Sequence, residues 1–397
     1  MKLSSEKIKA FKLVRVTTVP ISLEKLISGQ MKFMGEKGLD VYMISSPFDG
    51  AAELEKKEKS SFIPVSMTRT ISPIKDMLSL INLIFIFFKL KPAIVHTHTP
   101  KAGLLGMVAC WIAGVPIRLH TVAGLPLMET SGLKRKILEA VERITYFCAV
   151  KVYPNSNNLK TFIVDSKFAK ASKLKVIGNG SSNGIDTSFF KLTSDLMTLA
   201  KKLRNEYHIA ENDFVYVFVG RLVRDKGVEE LVNAFQRVNK AQPDTWLLLV
   251  GPPEPELDPL SADCIDQIEK NQRIIALGYQ AEVKPWLAMS DALVFPSYRE
   301  GFPNVPMQAG CFNLPAIVTN INGCNEIIEN NKNGLIIPVK DTEALTEAML
   351  SLLDKERYAG LKKNARQMIN ERYEQQVIWN LIYEEYQNHL KLKNLVS

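Results

Sequence analysis

The chain of 397 residues is poor in histidine and cysteine, with five of each. The cysteines (Cys110, Cys148, Cys264, Cys311 and Cys324) are odd in number, scattered, and form no C-x-x-C pair. Their neighbours are apolar, so reduced, buried thiols in a cytosolic protein are expected, not a disulfide framework. No histidine–cysteine cluster has ligand spacing, so no metal is expected and no cofactor is called for. No apolar run reaches the roughly 20 residues that span a bilayer. The first residues, Met1 to Lys12, are polar and basic without an apolar stretch, so no signal peptide is expected. A G-x-x-x-x-G-K-[ST] loop is absent, and no G-x-G-x-x-G follows the first strand candidate, which excludes the usual nucleotide-triphosphate and dinucleotide fingerprints. There is no repeat of fixed period.

What is present is an ordinary globular composition, 46% hydrophobic and 23% charged, which excludes a disordered chain. The length favours two domains. The charge is uneven: residues 1–200 hold 28 basic and 15 acidic side chains, a net of +13, and residues 201–397 hold 22 and 27, a net of −5. The basic half should face something anionic, such as membrane lipid or a diphosphate lipid. Nucleic acid is not expected, because no aromatic-plus-basic recognition motif accompanies the charge.

Short apolar runs alternate with helical patterns. Strands are expected at 13–16, 41–44, 94–96, 117–122 and 150–153, with helices at 23–36, 74–89, 101–113 and 133–149 between them. The pattern restarts with strands at 214–219, 246–250, 274–276, 292–295 and 316–318 and a helix at 228–240. Such alternation predicts parallel sheets covered by helices, hence an α/β fold with two Rossmann-like domains. The join is polar, around 181–213, with helical character at 191–207. A long charged and aromatic helix closes the chain at about 372–392. Met77–Phe88, MLSLINLIFIFF, is flanked by Lys75, Lys89 and Lys91. It reads either as a helix buried against the sheet or as an interfacial helix with its lysines at lipid headgroups.

Two motifs carry the chemistry of the second half. Gly220-Arg221-Leu222-Val223-Arg224-Asp225-Lys226-Gly227 follows a strand, where open α/β sheets bind ligands. Gly220 permits close approach, Arg221 offers a planar fork and Lys226 a point charge, a pair suited to a diphosphate. The bland alternative is a tight turn with solvated charges. Pro296-Ser297-Tyr298-Arg299-Glu300-Gly301-Phe302-Pro303-Asn304 runs from a strand into a helix whose first N–H groups can bind phosphate oxygens. Glu300 can accept from sugar hydroxyls, and Gln308 lies two turns further on.

These paired motifs resemble the donor domain of family 4 glycosyltransferases, which carry G-R-L-x-x-x-K-G and then P-S-x-x-E-G-F with a second acidic residue. Asn183-Gly184-Ile185-Asp186, with Phe189 or Phe190, and Gly323 and Glu326 are further echoes. The resemblance implies a GT-B enzyme: two Rossmann-like domains facing across a cleft, with the C-terminal helix crossing back to the first. Residues 1–190 with 372–397 would bind the acceptor and 191–371 the nucleotide-sugar donor. It implies retention of anomeric configuration without a metal. Arg221 and Lys226 would hold the diphosphate, Glu300 the sugar, and Gly220, Gly301, Phe302, Pro303, Asn304 and Gln308 would complete the donor site. Gln308 stands where the family usually has a Glu that binds ribose. His120 would orient the sugar or stabilise the oxocarbenium-like transition state. Thr18, Ser22, His96, His98 and Lys101 would face the acceptor. His96 and His98 resemble a metal half-site, but no third ligand lies near in sequence.

The function implied is transfer of a hexose or N-acetylhexosamine from a nucleotide-sugar, UDP-linked with GDP left open. The acceptor would be a saccharide on a polyprenyl diphosphate at the inner face of the cytoplasmic membrane, in capsule, O-antigen or related glycan assembly. Two rivals remain: a UDP-sugar 2-epimerase on the same fold, and a non-catalytic nucleotide-sugar-binding scaffold prompted by Gln308.

Overall fold

A computed structural model describes residues 11–125, 127, 130–254, 256 and 258–396. Most of the polar N-terminal segment read above, Met1–Ala10, lies outside the described residues. Two compact units are formed: one by the chain up to Gly184 together with the chain from Gln376 onward, the other by Ile185–Gln375.

In the first unit six strands, β1 (Lys12–Val16), β2 (Asp40–Ser45), β3 (Ser61–Pro64), β4 (Ile94–His98), β5 (Ile117–Val122) and β6 (Lys151–Pro154), form one sheet in the order β3-β2-β1-β4-β5-β6. In the second, β7 (Phe214–Val219), β8 (Thr245–Val250), β9 (Ile274–Gly278), β10 (Ala292–Phe295), β11 (Ala316–Thr319) and β12 (Gly334–Ile337) take the order β12-β11-β10-β7-β8-β9. Every pairing is parallel. Both sheets reverse direction of growth beside their first strand, between β1 and β4 and between β7 and β10. The carboxyl ends of those four strands therefore flank the crevice in which such sheets bind ligands.

Helices cover both faces, so the central strands are apolar throughout, as in FVYVFV of β7 and TWLLLV of β8. The first sheet departs from that rule. Arg15, His96, Thr97 and His120 are buried on its central strands. On one face of this sheet, helices Pro73–Leu90, Pro100–Ile112 and Gly132–Cys148 pack side by side. The core on the other face takes in Leu23, Ile27, Phe33 and Met34 together with Ile378, Trp379, Ile382 and Tyr386 of the final helix, Gln375–Leu392. The crossing back of the C-terminal helix is thus seen in the membership of the first unit.

Several elements differ from the sequence expectation. The edge strands β3 of the first sheet and β12 of the second are additional; each is four residues long, too short to show a period. The expected helix 23–36 is a π-helical turn, Ser22–Leu26, followed by Gln30–Glu36. Gly29 separates them at φ +83°, and a Cβ there would meet Trp379 at 2.5 Å. The final helix starts at Gln375, after a break at Glu374 that ends helix Lys355–Tyr373.

Candidate active site

In the second unit the two motifs leave β7 and β10, neighbours at the reversal point, and they interlock. Gly227 (φ +70°) starts helix Val228–Ala241 and lies so close to the other loop that a Cβ would meet the Pro296 carbonyl oxygen at 2.1 Å. The Tyr298 N–H donates to the Asp225 carbonyl (2.9 Å), and Arg299 pairs with the Asp225 carboxylate (2.8 Å). Across this junction Lys226 Nζ donates to Glu300 Oε1 at 2.6 Å, with both side chains about 15% exposed. Ser297 Oγ donates to the same oxygen (3.0 Å). The site thus presents a cation and an anion, largely desolvated, side by side where a strand ends and a helix begins.

Arg221 is more open and pairs with Glu254 (2.7 Å) on the loop after β8. Gly220 donates its N–H to the Val250 carbonyl (2.9 Å), which ties the motif to that neighbouring strand. The loop through Gly301 and Phe302 is fixed from below. Asn322 donates to the Gly301 carbonyl, Thr319 donates to the Ser297 carbonyl, and a Cβ at Gly323 would lie 2.7 Å from the Gly301 oxygen. Phe302 packs on Tyr373 (5.5 Å between ring centres). Pro303 caps helix Asn304–Cys311, on which Asn304 is exposed and Gln308 half-buried. Glu254, Ser297, Thr319 and Asn322 were not singled out from sequence. Only the acidic run after a strand end, Glu254-Pro255-Glu256, signalled the first of them.

In the first unit Thr18 follows β1 and Thr99 follows β4, and their hydroxyls hydrogen-bond at 2.8 Å at the reversal point. Thr18 Oγ1 also accepts the Ala102 N–H of helix Pro100–Ile112 (3.2 Å). Lys101, on the same turn, pairs with Asp76 (2.7 Å). Ser22 is half-buried at the head of the π-helical turn.

The three sequence-selected histidines lie inside the unit. His120 is buried, with Nδ1 on Thr97 Oγ1 (2.8 Å), and is overlain by Gly103, where a Cβ would meet its ring at 2.4 Å. Burial lowers its pKa to about 4, so the ring is neutral near pH 7. His96 contacts the Tyr386 hydroxyl with Nδ1 (2.7 Å) and Thr121 Oγ1 with Nε2 (2.8 Å). His98 is buried with both ring nitrogens unpaired among the described residues. Burial first, then the nearby Arg15 guanidinium, holds both His96 and His98 well below the usual histidine range. Among the described residues no group of three His, Cys, Asp or Glu side chains is arranged to hold a metal ion. No helix among them is long and apolar enough to cross a membrane.

Residues 200–371 match the model of glycosyl transferases group 1, and residues 24–156 match a glycosyl transferase 4-like model. The chain is 34% identical to the capsular polysaccharide biosynthesis glycosyltransferase CapM of Staphylococcus aureus, over 96% of this chain and 98% of that protein. It is 29% identical, over 93% of this chain and 94% of the relative, to the Escherichia coli UDP-Gal:alpha-D-GlcNAc-diphosphoundecaprenol alpha-1,3-galactosyltransferase. Among solved structures, Anabaena HepE in complex with UDP is similar in fold, with a TM-score of 0.78 at 18% identity, covering 96% of this chain and all of that one. With the paired motifs lodged at the reversal point of the second sheet, these matches show that the chain belongs to the family 4 glycosyltransferases of the GT-B fold.

Proposed function

We propose that the protein is a retaining, metal-independent transferase. It moves a hexose or N-acetylhexosamine from a UDP-sugar to a saccharide carried on a polyprenyl diphosphate. The second unit (191–371 in the sequence reading) binds the donor and the first binds the acceptor. The observation that carries this reading is the Lys226–Glu300 pair, which joins two motifs 74 residues apart at the reversal point of the sheet. The donor and acceptor named for the E. coli relative support a UDP-sugar and a lipid diphosphate, and in this reading the transfer runs at the inner face of the cytoplasmic membrane.

In this reading a donor diphosphate oxygen replaces Glu300 on Lys226. Glu300 is released to accept hydroxyls of the transferred sugar, while still held by Ser297. Arg221 exchanges Glu254 for the diphosphate, and the helix starting at Asn304 turns its free N–H groups toward the nucleotide with Gln308 beyond it. The bond between the sugar C1 and the diphosphate oxygen breaks as the acceptor hydroxyl oxygen bonds to C1. The hydroxyl proton passes to the departing diphosphate, whose charge Arg221 and Lys226 stabilise. His120, neutral and locked by Thr97, orients the sugar and takes up no proton. Thr18, Ser22, His96, His98 and Lys101 line or brace the acceptor side.

Calorimetric titration with UDP, GDP and NAD in metal-free buffer tests the donor assignment. Binding of UDP alone, with a Kd in the micromolar range, is expected; preference for GDP or NAD overturns it. Consumption of a UDP-sugar without acceptor, yielding a 2-epimer, would replace transfer by epimerisation. UDP-sugar binding without turnover on any lipid-linked acceptor would favour the scaffold.

A further inference from the structure

Helix Pro73–Leu90 has two apolar faces. Leu83 and Phe87 are buried in the core against the sheet. On the opposite side Ile74, Met77, Ile81, Phe85 and Phe88 follow one another at helical spacing and are all exposed, Phe85 by 68%. Helix Gly132–Cys148 repeats the arrangement. Its inner side buries Thr145 and Tyr146, and its outer stripe is Leu133, Ile137, Ile144 and Phe147, all exposed, the last by 73%. The helix between them, Pro100–Ile112, is nearly covered by its two neighbours and emerges at its end with Trp111 and Ile112. Trp111 lies beside Phe147, 6.5 Å between ring centres. A monomeric soluble protein rarely exposes so much contiguous large apolar side chain.

The charges on this face have one sign. Lys75, Lys89, Lys91, Lys134 and Lys136 are exposed and have no carboxylate partner among the described residues. The carboxylates of the same helices are withdrawn: Asp76 is held by Lys101, Glu139 by Arg135, and Glu142 is buried. An apolar stripe bordered by unpaired lysines suits the headgroup region of an anionic bilayer. It does not suit a two-fold contact with a second copy, which would set the same lysines against each other.

We propose that the outer faces of helices Pro73–Leu90 and Gly132–Cys148, with Trp111 between their ends, form one membrane-docking surface that lies on an anionic bilayer and does not cross it. This goes further than a single interfacial helix at Met77–Phe88, because half of the surface comes from a helix more than 40 residues downstream. It extends the membrane placement proposed above but does not need the transfer reaction to hold. A failed UDP titration would leave it intact, and a failed docking test would leave the donor site intact.

The test is flotation of the full chain with vesicles of pure phosphatidylcholine or of phosphatidylcholine with phosphatidylglycerol. Three variants are compared: Phe85→Ser, Phe147→Ser, and the pair. Both positions of substitution are exposed, and a thermal melt in buffer checks that each variant is folded. The expected result is flotation with the anionic vesicles, weakened by salt. Each single variant should lose part of it and the pair on the order of tenfold or more. Two results would overturn the proposal: full flotation of the folded double variant, or a wild-type chain that sediments as a dimer without vesicles and becomes a monomer in the double variant.

Discussion

The carbonyl oxygen of Pro296 occupies the place where a side chain at residue 227 would begin. A Cβ on Gly227 would lie 2.1 Å from it, and the residue also sits at φ +70°. This contact joins the diphosphate motif to the sugar motif. Gly227→Ala would therefore suffer both a left-handed backbone and a backbone clash. The expected loss is about 2–4 kcal/mol of stability, from strain and local displacement. It should be read as a lowered denaturation midpoint together with weakened UDP binding.

Lys226 offers the opposite case. Its removal leaves Glu300 still hydrogen-bonded to Ser297. Lys226→Ala is expected to lower kcat/KM by about 10²–10³-fold, the scale of losing one preorganised electrostatic contact. The melting temperature should move little. An unchanged rate would remove Lys226 from the donor site.

Gln308 is half-buried on helix Asn304–Cys311, where the family usually has Glu. Gln308→Glu should fold normally and bind UDP at least as tightly as the natural chain, by calorimetry. Loss of activity with UDP binding retained would mean that the amide matches a partner that a carboxylate repels.

Acid should destabilise the first unit. His120 has a folded pKa of about 4, below its unfolded value of about 6.5, because burial disfavours the charged ring. Above pH 6.5 neither state takes a proton there and stability is unaffected. Between pH 6.5 and 4 the unfolded chain binds the proton first, so stability falls as pH falls, by roughly 3 kcal/mol for this one group. His96 and His98 act in the same direction. Denaturant titrations at pH 7 and pH 5 should show the decline, and His120→Asn should make it shallower.

Tyr386 joins two of these buried groups to the final helix: Arg15 Nη1 donates to its hydroxyl (2.6 Å), and His96 Nδ1 contacts the same oxygen. Tyr386→Phe keeps the ring but removes the contact of Arg15 Nη1 and of His96 Nδ1, while Arg15 Nη2 stays on Gln30 and His96 Nε2 on Thr121. A cost of about 1–3 kcal/mol is expected, typical of an unsatisfied buried donor and larger for a charged one, with the loss read in equilibrium unfolding.

The alternation of strands and helices, both motifs and the closing helix were legible because each depends on local period or on punctuation by Gly and Pro. The four-residue strands β3 and β12 were not, since a period cannot show over that length. Met77–Phe88 could not be assigned to core or surface, because a helix apolar on every side has no preferred face until the sheet supplies one. The structure gives it both: Phe87 inward, Phe85 and Phe88 outward. The pairings of the site, Glu254 with Arg221 and Glu300 with Lys226, depend on which loops adjoin β7, and strand order is not written in any single segment.

The final helix has a consequence for synthesis. Arg15 and Tyr386 are 371 residues apart in the chain, and His96 and Tyr386 are 290 apart. During translation the first unit's strands emerge early, yet the apolar and polar groups that cover one face of their sheet are made last. Ile185–Gln375 can complete its own core in the interval. The first unit waits with Leu23, Met34 and the Arg15 guanidinium uncovered, a stretch of time in which a chaperone, or aggregation, competes for the same surface. A nascent chain stalled before residue 375 should thus carry a finished second unit and an unfinished first one.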